Sequence, residues 1–317
     1  MFRLLLALLI AAPAAGQTCD AVWHDAARDR DLPVRIRLPD GTAKVPLILF
    51  SPGLGGGIAG GSLWAKAWTD RGLAVVHLEH PGSDAAAYRA PGTPQERRAR
   101  IRAAASAQQL HARVGDVGFI LDELARRPRE GQCNLARLDL TRIGIAGHSM
   151  GAWTAQGVAG QRFLGKAPFR DARIDAAIAL SPSALTQANF GEAFGGITIP
   201  FLSITGTEDG VPARRGEPTP ESDAKAAAQR LAAEAQRIGP YRGMPPGQKY
   251  LIVFKDGDHM VFAGNLRSSP TATDIHIHDA VISATNAFWG AELLGDKTDA
   301  ATLKTLKLTP SDRFESK

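Results

Sequence analysis

Residues 142–153, "RIGIAGHSMGAW", join an apolar run to a glycine-rich turn. The run at 143–146 is typical of a buried strand, and the residues after Gly151 are typical of a helix. The turn contains Gly147-x-Ser149-x-Gly151, a pattern short enough to occur by chance in a chain with 33 glycines. Ser149 is therefore either a nucleophile held in a sharp strand-to-helix turn or an ordinary turn serine, and the rest of the sequence must decide.

Apolar runs of strand length recur along the chain, and most of them end in a polar or glycine-rich turn. These runs lie at 34–38, 45–50, 73–78, 142–146, 176–180, 200–205 and 250–254. Helical patterns lie at 61–72, 106–127, 150–164, 221–238 and 273–294. Buried strands that alternate with helices predict an α/β fold, with a mostly parallel central sheet covered by helices on both faces. We expect one such domain over residues 17–307, with an antiparallel first hairpin, followed by a polar, frayed tail at 308–317.

The composition is that of an ordinary globular protein, with 44% hydrophobic residues, 22% charged residues and a net charge of +5. Much of the basic surplus is arginine, as in "QERRARIR" at 95–102, and such runs are more often solvated helix faces than binding patches. The sequence has no zinc finger, no aromatic–basic RNA motif and no long basic stripe. We therefore expect no nucleic-acid partner.

The first residues of the chain form a separate segment. Arg3 precedes the apolar stretch "LLLALLIAA", and the small residues "APAAG" follow it. This pattern predicts a secretory signal peptide over residues 1–16, with cleavage before Gln17. Later apolar runs are too short to span a membrane. We expect an exported protein, periplasmic or extracellular, without a stable membrane anchor.

The chain has two cysteines, Cys19 and Cys133. In an exported protein an even number of cysteines favours a disulfide, here one that ties the mature N-terminus to the domain. Two free thiols are the alternative. Neither cysteine has a cysteine or histidine neighbour at metal-ligand spacing, so we expect no metal site.

Three residues with complementary chemistry follow three different strands. Ser149, Asp209 and His259 come after the runs at 142–146, 200–205 and 250–254. A serine hydroxyl needs a base to become nucleophilic, and a carboxylate orients a histidine base and stabilises its charged form. Parallel strands place their carboxyl ends at one edge of the sheet, where ligands bind. The positions of these residues after parallel strands therefore predict Ser149 as the nucleophile, His259 as the base and Asp209 as the carboxylate that orients the base.

Glu208 and Asp258 are rivals for the role of Asp209. Glu208 directly precedes Asp209, and Asp258 directly precedes His259. Neighbours in sequence usually point their side chains apart, which disfavours Asp258 as the partner of His259.

The stretch "SPGLGGG" at 51–57 follows another predicted strand. Acyl transfer needs hydrogen-bond donors where negative charge develops on the carbonyl oxygen. The N–H of Met150, directly after Ser149, is one candidate donor. Glycines let the 51–57 backbone approach closely, and the N–H of Leu54 is the second candidate.

The other histidines near these motifs have plainer interpretations. We expect His148 to pack within the turn that carries Ser149. His77 and His80 flank Glu79 after a strand, and we expect them to line or support the site rather than to bind a metal. Trp153 is expected in the core or in a pocket wall.

Several stretches within residues 45–262 resemble one known group of proteins. They are "FSPGLGGG", "LEHPGSD", "DVGFILDEL", "RIGIAGHSMG", "ITGTED" and "MPPGQKYLIVFKDGDHM". They are similar to those of bacterial α/β-hydrolases of the dienelactone-hydrolase-like and platelet-activating-factor-acetylhydrolase-like group. The resemblance implies an α/β-hydrolase fold and a serine esterase that needs no cofactor. It also favours Asp209, whose position after Gly206 matches the group's motif.

The sequence departs from that group at two points, and from the bacterial cutinases that it also resembles at a third. Dienelactone hydrolases proper use a cysteine nucleophile where Ser149 stands, and many relatives carry His-Gly where this chain has Pro52-Gly53. Bacterial cutinases usually have an aromatic residue in the position of Leu54. We expect hydrolysis of small-molecule or polymeric esters, with short acyl chains preferred. The alternatives are a cutinase-like polyester hydrolase, an acyltransferase with the same three residues, and a binding protein on the same fold.

The interval 181–199 is too short for the several helices of a full cap. We therefore expect no large cap domain and an open cleft. The sequence does not indicate an oligomeric state.

Overall fold

The computed structural model describes residues 15–163, 169–184, 189–211, 220–265, 268–306 and 308–317, with the side chains of 220–223 excepted. The predicted signal peptide lies almost entirely outside the described residues. The strands are β1 (Gln17–Asp25), β2 (Arg30–Leu38), β3 (Val45–Ser51), β4 (Ala74–Leu78), β5 (Leu138–His148), β6 (Ala176–Leu180), β7 (Phe201–Glu208), β8 (Lys249–Asp258) and β9 (Arg313–Ser316). The helices are α1 (Ser62–Asp70), α2 (Ala86–Arg89), α3 (Pro94–Ala104), α4 (Ala107–Arg126), α5 (Met150–Ala159), α6 (Phe190–Phe194), α7 (Pro220–Gly243), α8 (Ala272–Leu293) and α9 (Lys297–Thr302).

The strands form one nine-stranded sheet in the order β1-β2-β4-β3-β5-β6-β7-β8-β9. The pairs from β4 to β8 are all parallel. The antiparallel pairs lie at the two edges, where β1 pairs with β2, β2 with β4, and β8 with β9. The predicted α/β fold with a mostly parallel sheet is therefore confirmed.

Helices cover both faces of the sheet, and the apolar side chains of the central strands alternate between two cores. In β3, Leu47 and Leu49 pack in one core, whereas Ile48 and Phe50 pack in the other. Apolar residues of α4, α5 and α6 contribute to the first core, and those of α1 and α8 to the second. Burial on both faces explains why β3, β4 and β6 read as continuous apolar runs.

Both edge strands of the sheet differ from the sequence-based expectation. β1 precedes the first predicted strand, although its residues alternate regularly between exposed and buried or half-buried positions. β9 lies in the segment expected to fray, but residues 313–316 pair with residues 250–253 of β8. An edge strand exposes unpaired N–H and C=O groups, which a short polar segment can satisfy without an apolar pattern.

The interval between β6 and β7 contains α6 in its described part. Helix α6 packs against α7, and Phe194 lies in the core. None of the helices in the described part of the chain is long and apolar enough to cross a membrane.

A disulfide joins Cys19 of β1 to Cys133, as the sequence predicts. Both cysteines are buried in the first core. The bond fastens the edge hairpin β1–β2 to the segment that follows α4.

His77 of β4 is fully buried between two hydrogen-bond partners. Its Nδ1 lies 2.9 Å from the carbonyl oxygen of Gly60 and therefore donates, while Arg37 Nε donates to its Nε2 at 3.2 Å. Both ring nitrogens are satisfied by the neutral imidazole. Burial, together with the charge of Arg37, lowers the pKa of His77 to about 4.

Loss of the disulfide is expected to lower stability by about 2 to 5 kcal/mol, because the bond closes a loop of 114 residues in sequence separation. Thermal and urea unfolding of Cys19→Ser/Cys133→Ser protein should show this cost. Equal stability of the two proteins would contradict the prediction.

His77 should make the folded state sensitive to acid. An exposed histidine takes up its proton near pH 6.5, whereas folded His77 stays neutral down to about pH 4. Between these values the unfolded chain binds more protons, so the free energy of unfolding falls as pH falls, by up to about 3 kcal/mol for this residue. Urea unfolding from pH 7 to 4 should show a shallower pH slope in His77→Gln, whose amide can keep both hydrogen bonds. Identical slopes would rule out this contribution.

Candidate active site

Ser149 stands in a sharp turn between β5 and α5. Its backbone has φ 56° and ψ −114°, an unusual conformation for a residue other than glycine. A Cβ on Gly147 would overlap the backbone of Gly151, and one on Gly151 would overlap the carbonyl oxygen of Ser51. Only glycine fits at these two positions, so the turn that presents Ser149 requires the flanking glycines of the motif.

The structure brings Ser149, His259 and Asp209 together in one hydrogen-bonded chain. His259 Nε2 lies 2.9 Å from Ser149 Oγ, and His259 Nδ1 lies 2.8 Å from Asp209 Oδ1. These residues stand after β5, β8 and β7, at the carboxyl ends of the parallel strands. An imidazole with a serine hydroxyl on one nitrogen and a carboxylate on the other can take up the hydroxyl proton.

Asp209 is buried and fully hydrogen-bonded. Thr205 Oγ1 donates to its Oδ2 at 2.7 Å, and Arg237 Nη2 lies 3.1 Å from its Oδ1. Burial alone would raise the pKa of Asp209, but the hydrogen bond from His259 and the charge of Arg237 lower it below its usual range. Asp209 is therefore a fixed negative charge beneath the imidazole.

The two rival carboxylates have other partners. Glu208 Oε1 accepts from Arg230 Nε at 2.8 Å. Asp258 Oδ1 accepts from the N–H groups of Met260 and Val261, both at 2.9 Å, and so shapes the turn that carries His259. The carboxylate that the structure brings to His259 Nδ1 is that of Asp209.

Arg237 of α7 is a site residue that the sequence does not reveal. Its Nη2 lies 3.1 Å from Asp209 Oδ1 and 3.5 Å from His259 Nδ1. Its Nη1 donates to two backbone carbonyls that follow β6, at 3.2 and 3.1 Å. The alanine-rich helix pattern predicts α7, but nothing in it distinguishes Arg237 from Arg230, which pairs elsewhere.

His148 lies directly beneath His259. Its Nε2 donates to the carbonyl oxygen of His259 at 2.9 Å, and the two ring centres are 4.8 Å apart. Burial, with a smaller effect of the His259 charge, lowers the pKa of His148 to about 4. His148 is therefore a neutral support for the turn that carries His259.

The loop at 52–57 lies against the Ser149 turn. A Cβ on Gly53 would come within 3.4 Å of Ser149 Cβ. The N–H of Gly55 donates to Ser83 O, whereas no backbone carbonyl of the described residues accepts from the N–H of Leu54. Met150 is the first residue of α5, where N–H groups have no acceptor within the helix. The two N–H groups expected to receive the oxyanion, those of Leu54 and Met150, thus belong to backbone segments next to Ser149.

A cavity of about 450 Å³ opens above Ser149 and His259. The glycine loop forms one wall, and Phe50, Tyr88 and Met260 add apolar surface. Tyr88 and Met260 are also partly exposed to solvent, at 42% and 56%. Trp153, which was expected in the core or in a pocket wall, is half-buried and is not among the described residues that line this cavity. A larger cavity of about 550 Å³ lies beside Arg37 and Lys66, away from Ser149.

His77 and His80 do not reach this cavity. His77 bonds Gly60 and Arg37, while His80 lies between Ser51 and Asp116 at 2.9 Å from each. Among the described residues, no cluster of three or more histidine, cysteine, aspartate or glutamate side chains could hold a metal ion.

The chain has no match among models of known protein families. A search of curated proteins finds no match either.

Proposed function

We propose that this protein is an exported serine hydrolase with an α/β-hydrolase fold that cleaves carboxylic esters through an acyl-enzyme. The single observation that carries the proposal is the hydrogen-bonded chain Ser149–His259–Asp209 at the floor of a cavity. The strained Ser149 backbone and the chain order Ser, Asp, His are further support, because both are features of α/β-hydrolases. So is the resemblance of residues 45–262 to bacterial serine esterases.

In the proposed reaction, His259 Nε2 takes the Ser149 proton as Oγ attacks the ester carbonyl carbon. The carbonyl electron pair moves onto oxygen, where the N–H groups of Leu54 and Met150 receive the negative charge. Asp209 stabilises the imidazolium. The bond to the alcohol oxygen then breaks, and Nε2–H returns the proton to the departing alcohol. Water repeats the sequence on acyl-Ser149 and releases the acid.

Export is supported by two observations. Residues 1–16 have the pattern of a secretory signal peptide. The disulfide between Cys19 and Cys133 is of a kind that persists in oxidising compartments such as the periplasm or the extracellular space.

Ser149→Ala should reduce turnover of p-nitrophenyl acetate by about 10⁴-fold or more, because alanine keeps the turn and removes the nucleophile. Circular dichroism and thermal unfolding should show an unchanged fold. Ser181→Ala is the matched control, since Ser181 also follows a strand and has a positive φ of 55°. Its Oγ has no hydrogen-bond partner among the described residues, so this variant should retain activity. A Ser149→Ala protein as active as Ser181→Ala would refute the proposed nucleophile.

The cavity should favour short acyl chains, because about 450 Å³ must hold the acyl group together with part of the alcohol. In a series of p-nitrophenyl esters, kcat/KM should be highest for acyl chains of about two to six carbons and fall for longer ones. Tyr88→Ala, which removes an aromatic ring from the cavity wall, should move the optimum to longer chains. Leu231→Ala, an exposed apolar residue outside the cavity lining, should not. An optimum at about twelve carbons or more, or a rate jump at the solubility limit, would contradict this.

A further inference from the structure

Arg113 of α4 is a fully buried guanidinium that the proposed reaction does not use. It lies behind the loop at 52–57 rather than in the cavity. Four of its five N–H donors have acceptors among the described residues. Burial of a charged group is costly, and its hydrogen bonds must offset that cost. The partners of Arg113 therefore show which parts of the backbone it holds in place.

One set of these bonds holds the loop at 52–57. Arg113 Nη2 donates to the carbonyl oxygen of Pro52 and, at 3.1 Å, to Ser51 Oγ. Arg113 Nη1 donates to Ser83 Oγ at 3.0 Å, and Ser83 O in turn accepts from the N–H of Gly55 at 2.8 Å. The loop is therefore anchored to Arg113 on both sides of Leu54.

The remaining bond holds the start of α5. Arg113 Nε donates to Thr154 Oγ1 at 3.0 Å. The Thr154 hydroxyl donates to the carbonyl oxygen of Met150 at 3.2 Å. One planar guanidinium thus links the backbone that carries the Leu54 N–H to the backbone that carries the Met150 N–H.

A further group of buried polar residues supports Arg113 through the Ser51 hydroxyl. Asp116, one helical turn further along α4, accepts hydrogen bonds from Arg28 and Arg30 and lies 2.9 Å from His80 Nδ1. His80 Nε2 lies 2.9 Å from Ser51 Oγ, the same hydroxyl that Arg113 contacts. Burial lowers the pKa of Arg113 to about 9, so the guanidinium keeps its charge at neutral pH.

We propose that Arg113 is a positioning residue that sets the spacing of the Leu54 and Met150 N–H groups and adds positive charge behind the oxyanion they receive. This inference rests on the proposed function. Because the donors matter most when the carbonyl oxygen becomes negative, Arg113 should affect the transition state more than substrate binding.

Arg113→Lys tests the proposal, because lysine keeps the charge and loses the planar fork that reaches four acceptors. We expect kcat for p-nitrophenyl acetate to fall about 10- to 100-fold while KM changes less than about threefold. Affinity for a phenylboronic acid, whose adduct with Ser149 places an oxygen at the oxyanion position, should fall in parallel with kcat/KM.

Arg137→Lys is the matched control. Arg137 is also buried, and it donates to the backbone carbonyls of Pro39, Asp40 and Ala43, outside the cavity lining. Its substitution should lower thermal stability to a similar degree and leave kcat unchanged. Equal kcat values in Arg113→Lys and Arg137→Lys would overturn the proposal.

Two milder variants test the proposal even if Arg113→Lys does not fold. Thr154→Val cuts the link to Met150, and Ser83→Ala cuts the link to the loop. Each should lower kcat severalfold, and adding either to Arg113→Lys should cause little further loss, because the residues act as one unit. Full kcat in both single variants would also overturn the proposal. If wild-type protein hydrolyses no ester, or Ser149→Ala stays active, the proposed function itself fails.

Discussion

The close approach of α5 to the end of β3 is the constraint on which the site depends. Gly151 lies so near the Ser51 carbonyl that any side chain there would overlap it, and Gly147 meets the backbone of Gly151 in the same way. This contact forces the strained backbone of Ser149 and places the turn against the loop at 52–57. Two apolar cores, one on each face of a parallel sheet, hold the strand and helix in that position. Packing energy from the sheet therefore sustains a local conformation that the turn alone would not adopt.

The fold contains two hydrogen-bonded sets of serine, histidine and aspartate. They differ in burial and in access to the cavity, which gives them different roles. In Ser149–His259–Asp209 the serine and histidine line a cavity. In Ser51–His80–Asp116 all three side chains are fully buried. Burial and the charge of Arg113 lower the pKa of His80 to about 4, so it is a poor base, and Arg113 already donates to the Ser51 hydroxyl. The second set is suited to holding backbone in place, since no substrate can reach it.

The edge hairpin is connected to the site through α4. Arg28 and Arg30, at the turn between β1 and β2, hold Asp116, while the disulfide fastens β1 to the segment after the same helix. Asp116 and Arg113 lie one turn apart on α4 and together reach the loop beside Ser149. Hydrogen bonds thereby connect the turn of the edge hairpin, through Asp116, His80 and Ser51, to the arginine that holds the backbone donors of the proposed oxyanion hole. Burial alone would raise the pKa of Asp116, but the hydrogen bonds from His80 and Arg30 lower it below its usual range, so the buried carboxylate keeps its charge.

The sequence by itself determined the buried strands, most of the helices, the disulfide and the three residues that meet at the cavity. These depend on local patterns: apolar runs mark strands, and the residue after a parallel strand always lies at the same edge of the sheet. The tertiary structure alone decided the rest. Arg113 and Arg237 look like any other arginine on a helix, because their partners are distant in sequence and come together only when the sheet is assembled. The short edge strand β9 likewise owes its pairing to backbone groups exposed by β8, and the side-chain pattern of so short and polar a segment carries little information about such pairing.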